Sequence, residues 1–190
     1  MNIRERLDNL KIRIQQPDFL KGEGLSNEVG IWFFCYNPKD EMVVRDFTEK
    51  LLTSQSLSCH LVEKNLYSIL LELCDDLDIS DSIADMENAE GKVFLLEQLY
   101  SAIGVNEYIS KIQFEPQVRG RDVLLLTGVG DVFPFMRVHN LLHALQPCFP
   151  NIPILVMYPG DFNGTQVTLF NKLKPNDYYR AFNLIDGGND

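Results

Sequence analysis

The residues with the clearest chemical potential follow an aliphatic run in the last third of the chain. The sequence DVLLLT at 122–127 predicts a buried strand, which leads into Gly128-Val129-Gly130 and then Asp131. A strand that empties through a glycine turn into a helix is typical of a ligand site at the carboxyl edge of a parallel sheet. Gly128, Gly130, Asp131 and Asp161 are therefore candidate residues of such an edge. Only in the alternative of a nucleotide-binding domain would the two carboxylates hold magnesium.

The groups that bind a phosphate are missing from both turns that could carry them. The strand at 122–127 ends in Thr127 rather than a carboxylate, and the turn after it has neither a lysine nor the third glycine of a dinucleotide fingerprint. In the turn 36–41, Pro38 lacks an amide donor, and Asp40 and Glu41 would repel an anion at the helix N-terminus. A degenerate nucleotide-binding domain or weak nucleotidase stays as the alternative function, and no cofactor is expected.

A metal centre is the other chemistry that the residue types suggest. His139 and His143 are four residues apart on a predicted helix, as in zinc metalloproteases, but Asn140 stands where the general-base glutamate would be. Cys59 and His60 could add a ligand, yet adjacent strand residues point to opposite faces, so only one of them could take part. We predict no metal site and no catalytic residue.

Aromatic and arginine side chains near the ends of the predicted strands 122–127 and 154–158 suggest a protein-binding patch. The carboxyl ends of neighbouring parallel strands meet at one sheet edge. Buried aromatics and arginines dominate interface energetics, although Phe133 and Phe135 could instead cap the core. The candidate partner-binding residues are Phe133, Phe135, Arg137, Tyr158, Phe162 and Arg180.

Composition limits the classes of partner. With 17 basic and 27 acidic residues among 190, the formal net charge is −10, which disfavours direct DNA binding. The acidic residues are concentrated at 72–90. This stretch is either a solvated helix face and loop or a docking surface for a cationic partner. The apolar runs are too short to cross a membrane, and the N-terminus is unlike a secretory signal, so a cytoplasmic location is expected. The four cysteines lack CxxC spacing and are expected to be reduced: Cys35, Cys59, Cys74 and Cys148.

Hydrophobic periodicity places these residues on alternating strands and helices. Helices are predicted at 3–14, 40–53, 65–73, 90–103 and 133–145, and strands at 30–36, 60–63, 122–127, 154–158 and 178–185. A turn is expected at 159–161. The pattern favours an α/β class with a mainly parallel sheet covered by helices on both faces, a Rossmann-like or degenerate P-loop-like three-layer domain. One domain should span 1–185, followed by a disordered tail at 186–190.

Several blocks resemble a known family. They are FCYNP at 34–38 with Glu41 and Arg45, GVGDVFPF at 128–135, VMYPG at 156–160 and YYRAF at 178–182. In this order they resemble the BrxB family of bacteriophage exclusion (BREX) systems, over nearly the whole chain.

The resemblance implies a role in phage defence without an assigned enzymatic activity. Genes of such systems encode a DNA methyltransferase, a large ATPase and a phosphatase-superfamily protein called PglZ. The expected function is therefore a non-catalytic scaffold or adaptor that binds the PglZ-like protein and helps assemble the methylating and phage-blocking complex. Because the family has no agreed catalytic motif, no catalytic residue is carried over.

Overall fold

A seven-stranded sheet forms the centre of the computed structural model, which describes residues 1–22, 30–177 and 181–185. Its strands are β1 (Ile31–Tyr36), β2 (His60–Asn65), β3 (Asp122–Thr127), β4 (Ile154–Phe162), β5 (Gln166–Leu169), β6 (Asn176–Asp177) and β7 (Ala181–Asn183).

The sheet is mixed. Strands β2-β3-β4-β1-β7 pair in parallel in that order. The carboxyl-terminal part of β4 pairs antiparallel with β5, which pairs antiparallel with β6. The carboxyl ends of β1, β2 and β3 therefore reach one edge of the parallel strands, where the glycine turn after β3 also lies.

Helices connect the strands and cover the sheet. They are α1 (Ile3–Arg13), α2 (Pro17–Lys21), α3 (Glu41–Leu52), α4 (Leu66–Asp76), α5 (Ile83–Glu90), α6 (Lys92–Ala102), α7 (Val105–Ile112), α8 (Val129–Val132) and α9 (Val138–Leu145). Short 3-10 turns lie at Pro38–Asp40, Ser80–Ser82 and Gln146–Cys148.

Two hydrophobic cores lie on opposite faces of the sheet because strand residues alternate in direction. In β1, Phe33 belongs to the core that packs against α4, α6, α7 and α9, whereas Phe34 belongs to the core under α1, α2 and α3. In β3, Leu124 and Leu125 divide in the same way. A strand buried on both faces needs a continuous apolar run, which explains the sequences of β1 and β3.

Much of the predicted element order is confirmed. The α/β class is confirmed. Strands β1 and β3 and helices α1 and α3 are found within a residue of the predicted bounds, whereas β2 runs two residues and the Asn65-capped α4 three residues beyond them. Cys35, Cys59 and Cys74 are buried free thiols, and burial raises their pKa values. Cys148 is half-buried.

Three predicted segments are wrong in their bounds. The helix expected at 133–145 begins only at Val138, because a residue before proline is pushed out of the helical region, and Phe133 before Pro134 is extended with ψ 134°. The turn expected at 159–161 is part of β4, which pairs with β5 there. The helix expected at 90–103 is α6 alone, and Gly91, with φ 85°, separates it from α5.

Some predictions fall partly outside the described residues. The expected edge strand at 178–185 is seen as β7 at 181–183, next to β1, while 178–180 lie outside the described residues, as does the predicted tail at 186–190. Among the described residues, no helix is both long and apolar enough to span a bilayer.

Candidate functional site

A cavity of about 150 Å³ lies at the carboxyl ends of the parallel strands, between α3 and the turn after β3. Every strand from β1 to β4 contributes to its wall, together with the first two turns of α3. The lining residues are Tyr36, Glu41, Val44, Arg45, Thr48, Glu49, Glu63, Asn65, Thr127, Gly128, Asp131 and Met157. The cavity therefore lies where α/β domains commonly bind ligands.

An arginine held between two carboxylates crosses this site. Arg45 Nε donates to Glu41 Oε1 at 2.8 Å, and Arg45 Nη2 donates to Asp131 Oδ2 at 2.5 Å. These bonds, first to Asp131 and then to Glu41, raise the pKa of Arg45 above its usual range, so the guanidinium stays charged. The pairs tie the first turns of α3 to α8, which are distant in sequence.

Tyr36, at the end of β1, also contacts this pair of charged side chains through Glu41. Its hydroxyl donates to Glu41 Oε2 at 2.8 Å. Burial and the neighbouring Glu41 raise the pKa of Tyr36 far above its usual range, so the phenol remains a neutral donor. Glu41 thus accepts from Tyr36 on one oxygen and from Arg45 on the other, which fixes the carboxylate at the start of α3.

Strands β2 and β3 form the opposite wall. The Thr127 hydroxyl donates to Glu63 Oε1 at 2.7 Å, and the Asn65 side chain caps α4 by accepting from the Tyr67 and Ser68 amides. Gly128 adopts a left-handed conformation with φ 70°, and a Cβ there would lie 2.5 Å from Asn65 Oδ1. The turn needs glycine both for its φ angle and for this close approach.

A wider and more open depression of about 540 Å³ adjoins the cavity. It shares Arg45, Asn65 and Asp131 with the cavity and adds Tyr67, Ser68 and Phe135. Tyr67 is 40% exposed, and Phe135 is half-buried against the core. The charged cavity therefore opens between aromatic side chains.

The four predicted ligand-edge residues separate into two groups. Gly128 and Asp131 line the cavity. Gly130 instead packs against Phe170 and Pro159, with 3.0 and 3.2 Å left for a Cβ, and Asp161 is exposed in the β4–β5 hairpin opposite Thr168. Asp131 is engaged by Arg45, and in the part of the chain that the structure describes no group of three or more His, Cys, Asp or Glu is placed to hold a metal ion.

The structure buries two of the four aromatic residues of the predicted partner-binding patch. Tyr158 and Phe162 are buried, each with its ring centroid 5.3 Å from that of Phe33. Strand β4 continues to Phe162 instead of ending at a turn. Tyr158 and Phe162 therefore lie on the same face of the sheet as Ile154, in the core that packs against α4, α6, α7 and α9. Phe133 is half-buried, with its ring edge toward Phe170.

The remaining predicted residues that the structure describes do not line the cavity. Arg137 is exposed at the N-terminus of α9, and Arg180 lies outside the described residues. His139 and His143 are on α9, where burial, Arg137 and His143 lower the pKa of His139. The exposed His60 has its Nδ1 3.2 Å from Asp122 Oδ1 at the opposite end of the strands.

Fold and site together define a class of protein: an α/β domain with an acidic, internally ion-paired cavity at the carboxyl edge of its parallel strands. The family model described as BREX protein BrxB matches residues 62–184. The chain belongs to the BrxB family.

Two relatives named BREX protein BrxB agree with this assignment and confirm the resemblance in the sequence. The Bacillus cereus (strain H3081.97) protein is 36% identical over 190 residues, which cover 97% of this chain and 98% of the relative. The Escherichia coli O9:H4 (strain HS) protein is 28% identical over 180 residues, which cover 95% of this chain and 90% of the relative. No solved structure matches the chain.

Proposed function

We propose that this chain is a non-catalytic adaptor of a BREX phage-defence system, which binds the PglZ-like protein in the cytoplasm. It would help to assemble the methyltransferase, the large ATPase and the phage-blocking machinery, and reach DNA only through those partners. Membership of the BrxB family supports the setting. The net charge of −10 favours a protein partner over direct contact with DNA.

One observation carries the adaptor role. At the sheet edge where α/β enzymes hold substrate or cofactor, Arg45 is paired with Glu41 and Asp131, and Tyr36 is bonded to Glu41. A catalytic carboxylate is normally directed at a substrate, whereas Glu41 and Asp131 are both engaged by Arg45 of the same chain. A sheet edge whose charged groups pair with one another suits a surface that binds a protein, and the aromatic side chains beside it would serve as anchors.

Co-purification with the PglZ-like protein tests the proposal. The unaltered chain should form a stable complex, and Phe135→Ala should weaken it about 30-fold or more, as truncation of an interface hot spot does. Phe182→Ala is the matched control, because Phe182 is 43% exposed on the edge strand β7, away from the cavity. Arg137 and Arg180 remain predicted charged contacts and are tested as alanine variants in the same assay.

Failure of the unaltered chain to bind the PglZ-like protein in both low and moderate salt would overturn the adaptor proposal. Equal loss of binding in Phe135→Ala and Phe182→Ala would instead move the interface away from the depression. Melting curves of both variants separate a lost contact from a lost fold.

The nucleotide alternative keeps a Rossmann-like or P-loop-like interpretation of the sheet and is the second candidate. The strand order and the position of the cavity favour it by fold-level analogy. Against it, four carboxylates and one guanidinium line the cavity, and this excess of negative charge would repel the phosphates of a nucleotide. Magnesium with ATP should raise the melting temperature if a nucleotide binds, and should leave it unchanged for a pure adaptor.

A further inference from the structure

The cavity and the open depression form one continuous site at the surface. They share Arg45, Asn65 and Asp131, so the closed part opens directly into the wider part. The site is built from β1 to β4 together with α3, α4 and α8, and Phe135 joins it from the segment between α8 and α9. A site of this kind can hold an inserted side chain in a defined direction.

The charge of the site selects a cation. Four carboxylates and one guanidinium line the cavity, those of Glu41, Glu49, Glu63, Asp131 and Arg45. Phosphate groups would be repelled by this excess of negative charge, whereas a guanidinium or ammonium would be attracted.

Asp131 and Glu63 each keep one carboxylate oxygen without a hydrogen-bond partner in the described part of the chain. Arg45 occupies Asp131 Oδ2, and Thr127 occupies Glu63 Oε1. Asp131 Oδ1 and Glu63 Oε2 accept no hydrogen bond from the described residues, although each oxygen of a carboxylate can accept more than one. An entering donor therefore has acceptors to bind without displacing Arg45.

The size of the cavity matches the head of one side chain. About 150 Å³ is roughly the space of five water molecules at about 30 Å³ each. That volume accommodates a planar guanidinium with part of its aliphatic stem.

The entrance adds aromatic faces to the charge. Tyr67 and Phe135 line the depression, and the exposed Leu71 lies one turn beyond Tyr67 on α4. Arginine suits such an entrance better than lysine because its planar guanidinium stacks on aromatic rings and binds carboxylates through a fork of donors. Apolar residues beside the arginine would cover Leu71.

We propose that this site receives an arginine side chain from a partner protein, with its guanidinium between Glu63 and Asp131 and its stem against Tyr67 and Phe135. The inference rests on the proposed adaptor function, for which it names the chemistry of the contact. The partner segment carries one arginine flanked by apolar residues and inserts it into the carboxyl edge of the sheet.

Small amides that mimic single residues test the site without the partner. N-acetyl-arginine amide is titrated into the full chain while backbone amide signals are followed by NMR. The expected result is saturable shifts of Asn65, Thr127, Gly128 and Asp131, with weak affinity on the order of millimolar. N-acetyl-citrulline amide, the uncharged isostere, and ATP, an anion, should leave these signals in place. No shift with the arginine amide, equal shifts with the citrulline amide, or shifts of the same signals by ATP would each overturn the inference.

A variant and its control locate the charge. Glu63→Gln keeps the size of the side chain and an oxygen for the Thr127 hydroxyl but removes the negative charge, so the arginine amide should bind about fivefold more weakly. Glu90→Gln makes the same change at the exposed end of α5 and should bind like the unaltered chain. Equal affinity in Glu63→Gln and the unaltered chain would overturn the placement of the guanidinium. If Glu63→Gln fails to fold, the titration of the unaltered chain still decides.

The two proposals fail in different ways. If the PglZ-like protein does not co-purify while the arginine amide binds the cavity, the adaptor function with that partner is lost and the site remains. If the complex forms but the arginine amide does not bind, the adaptor function stands and the inserted arginine is wrong.

Discussion

At the scale of single residues, Asp122 is a carboxylate that is 1% exposed at the start of β3. It accepts hydrogen bonds from Arg121 Nε at 2.6 Å and the Val118 amide at 2.8 Å, and lies 3.2 Å from His60 Nδ1. Burial would raise the pKa of Asp122, but the bonds from Arg121, Val118 and His60 together outweigh it and lower the pKa. The ionised carboxylate of Asp122 therefore stabilises the folded state.

This lowered pKa predicts a pH dependence of stability. Because the folded pKa is below the unfolded value of about 3.9, the contribution of Asp122 is complete above that value and is lost as pH falls through the folded pKa. Asp122→Asn should lower the free energy of unfolding by about 1.5–3 kcal/mol at neutral pH. Urea unfolding should show the gap to the unaltered chain closing below about pH 4. Asp85→Asn, an exposed control on α5, should show little change at either pH, and a gap that stays constant would contradict the role of the charge.

Tyr108, unlike Asp122, is a buried polar side chain whose removal should not destabilise the fold. The side chain on α7 is fully buried, and its hydroxyl has no hydrogen-bond partner among the described residues. Burial raises the pKa of Tyr108, so the phenol stays neutral, but an unpaired buried hydroxyl still costs desolvation free energy. Tyr108→Phe should leave stability unchanged or raise it by about 1 kcal/mol, as measured by thermal or urea unfolding. Tyr36→Phe is the comparison, because it removes a hydroxyl that is bonded to Glu41 and should destabilise.

At the scale of elements, the Asn65 cap links the end of β2 to α4 and to the glycine turn. Its Oδ1 accepts from the Tyr67 and Ser68 amides, which would otherwise be unpaired at the helix start. Asn65→Ala should cost about 1 kcal/mol in the free energy of unfolding, and Asn65→Asp should retain most of it, since both asparagine and aspartate are good caps. Equal stability of the alanine and aspartate variants in urea unfolding would contradict the cap.

The elements differ in how well the sequence predicts them, and the reasons are physical. Strands β1 and β3 are buried on both faces, so continuous apolar runs mark them. Helix α5 has no buried residue and lies in the acidic stretch 72–90, so its apolar periodicity is too weak to show. Strands β5 and β6 are short, and they exist through pairing with the end of β4 rather than through their own propensity.

The sequence predicts where the candidate site lies but not the hydrogen bonds within it. A glycine turn after a buried strand marks the carboxyl edge, and Gly128 and Asp131 do line the cavity. Glu41 and Arg45, four apart on α3, are a pair that helical spacing can suggest. The bond from Arg45 to Asp131 joins residues 86 apart in the chain, and no local pattern in one sequence encodes such a contact.

At the scale of the whole molecule, the acidic balance and the cavity predict how association responds to salt. A chain of net charge −10 with a carboxylate-lined cavity should bind the proposed arginine-bearing partner partly through screened charges. The Debye length shortens from about 10 Å at 0.1 M salt to about 3 Å at 1 M, so long-range attraction fades while apolar contacts at Tyr67 and Phe135 persist. Affinity for the proposed PglZ-like partner should therefore fall over this range, mainly through slower association.

Glu63→Gln separates the cavity from the general charge of the surface in the same experiment. Removing one carboxylate at the site should weaken the complex at low salt and flatten its salt dependence, whereas Glu90→Gln should follow the unaltered chain. Association and dissociation rates measured by surface plasmon resonance at 0.1 M and 1 M salt provide the comparison. An affinity that is independent of salt would mean that apolar contacts alone hold the partner. Identical salt slopes for the two glutamine variants would mean that the acidic surface, and not the cavity, provides the attraction.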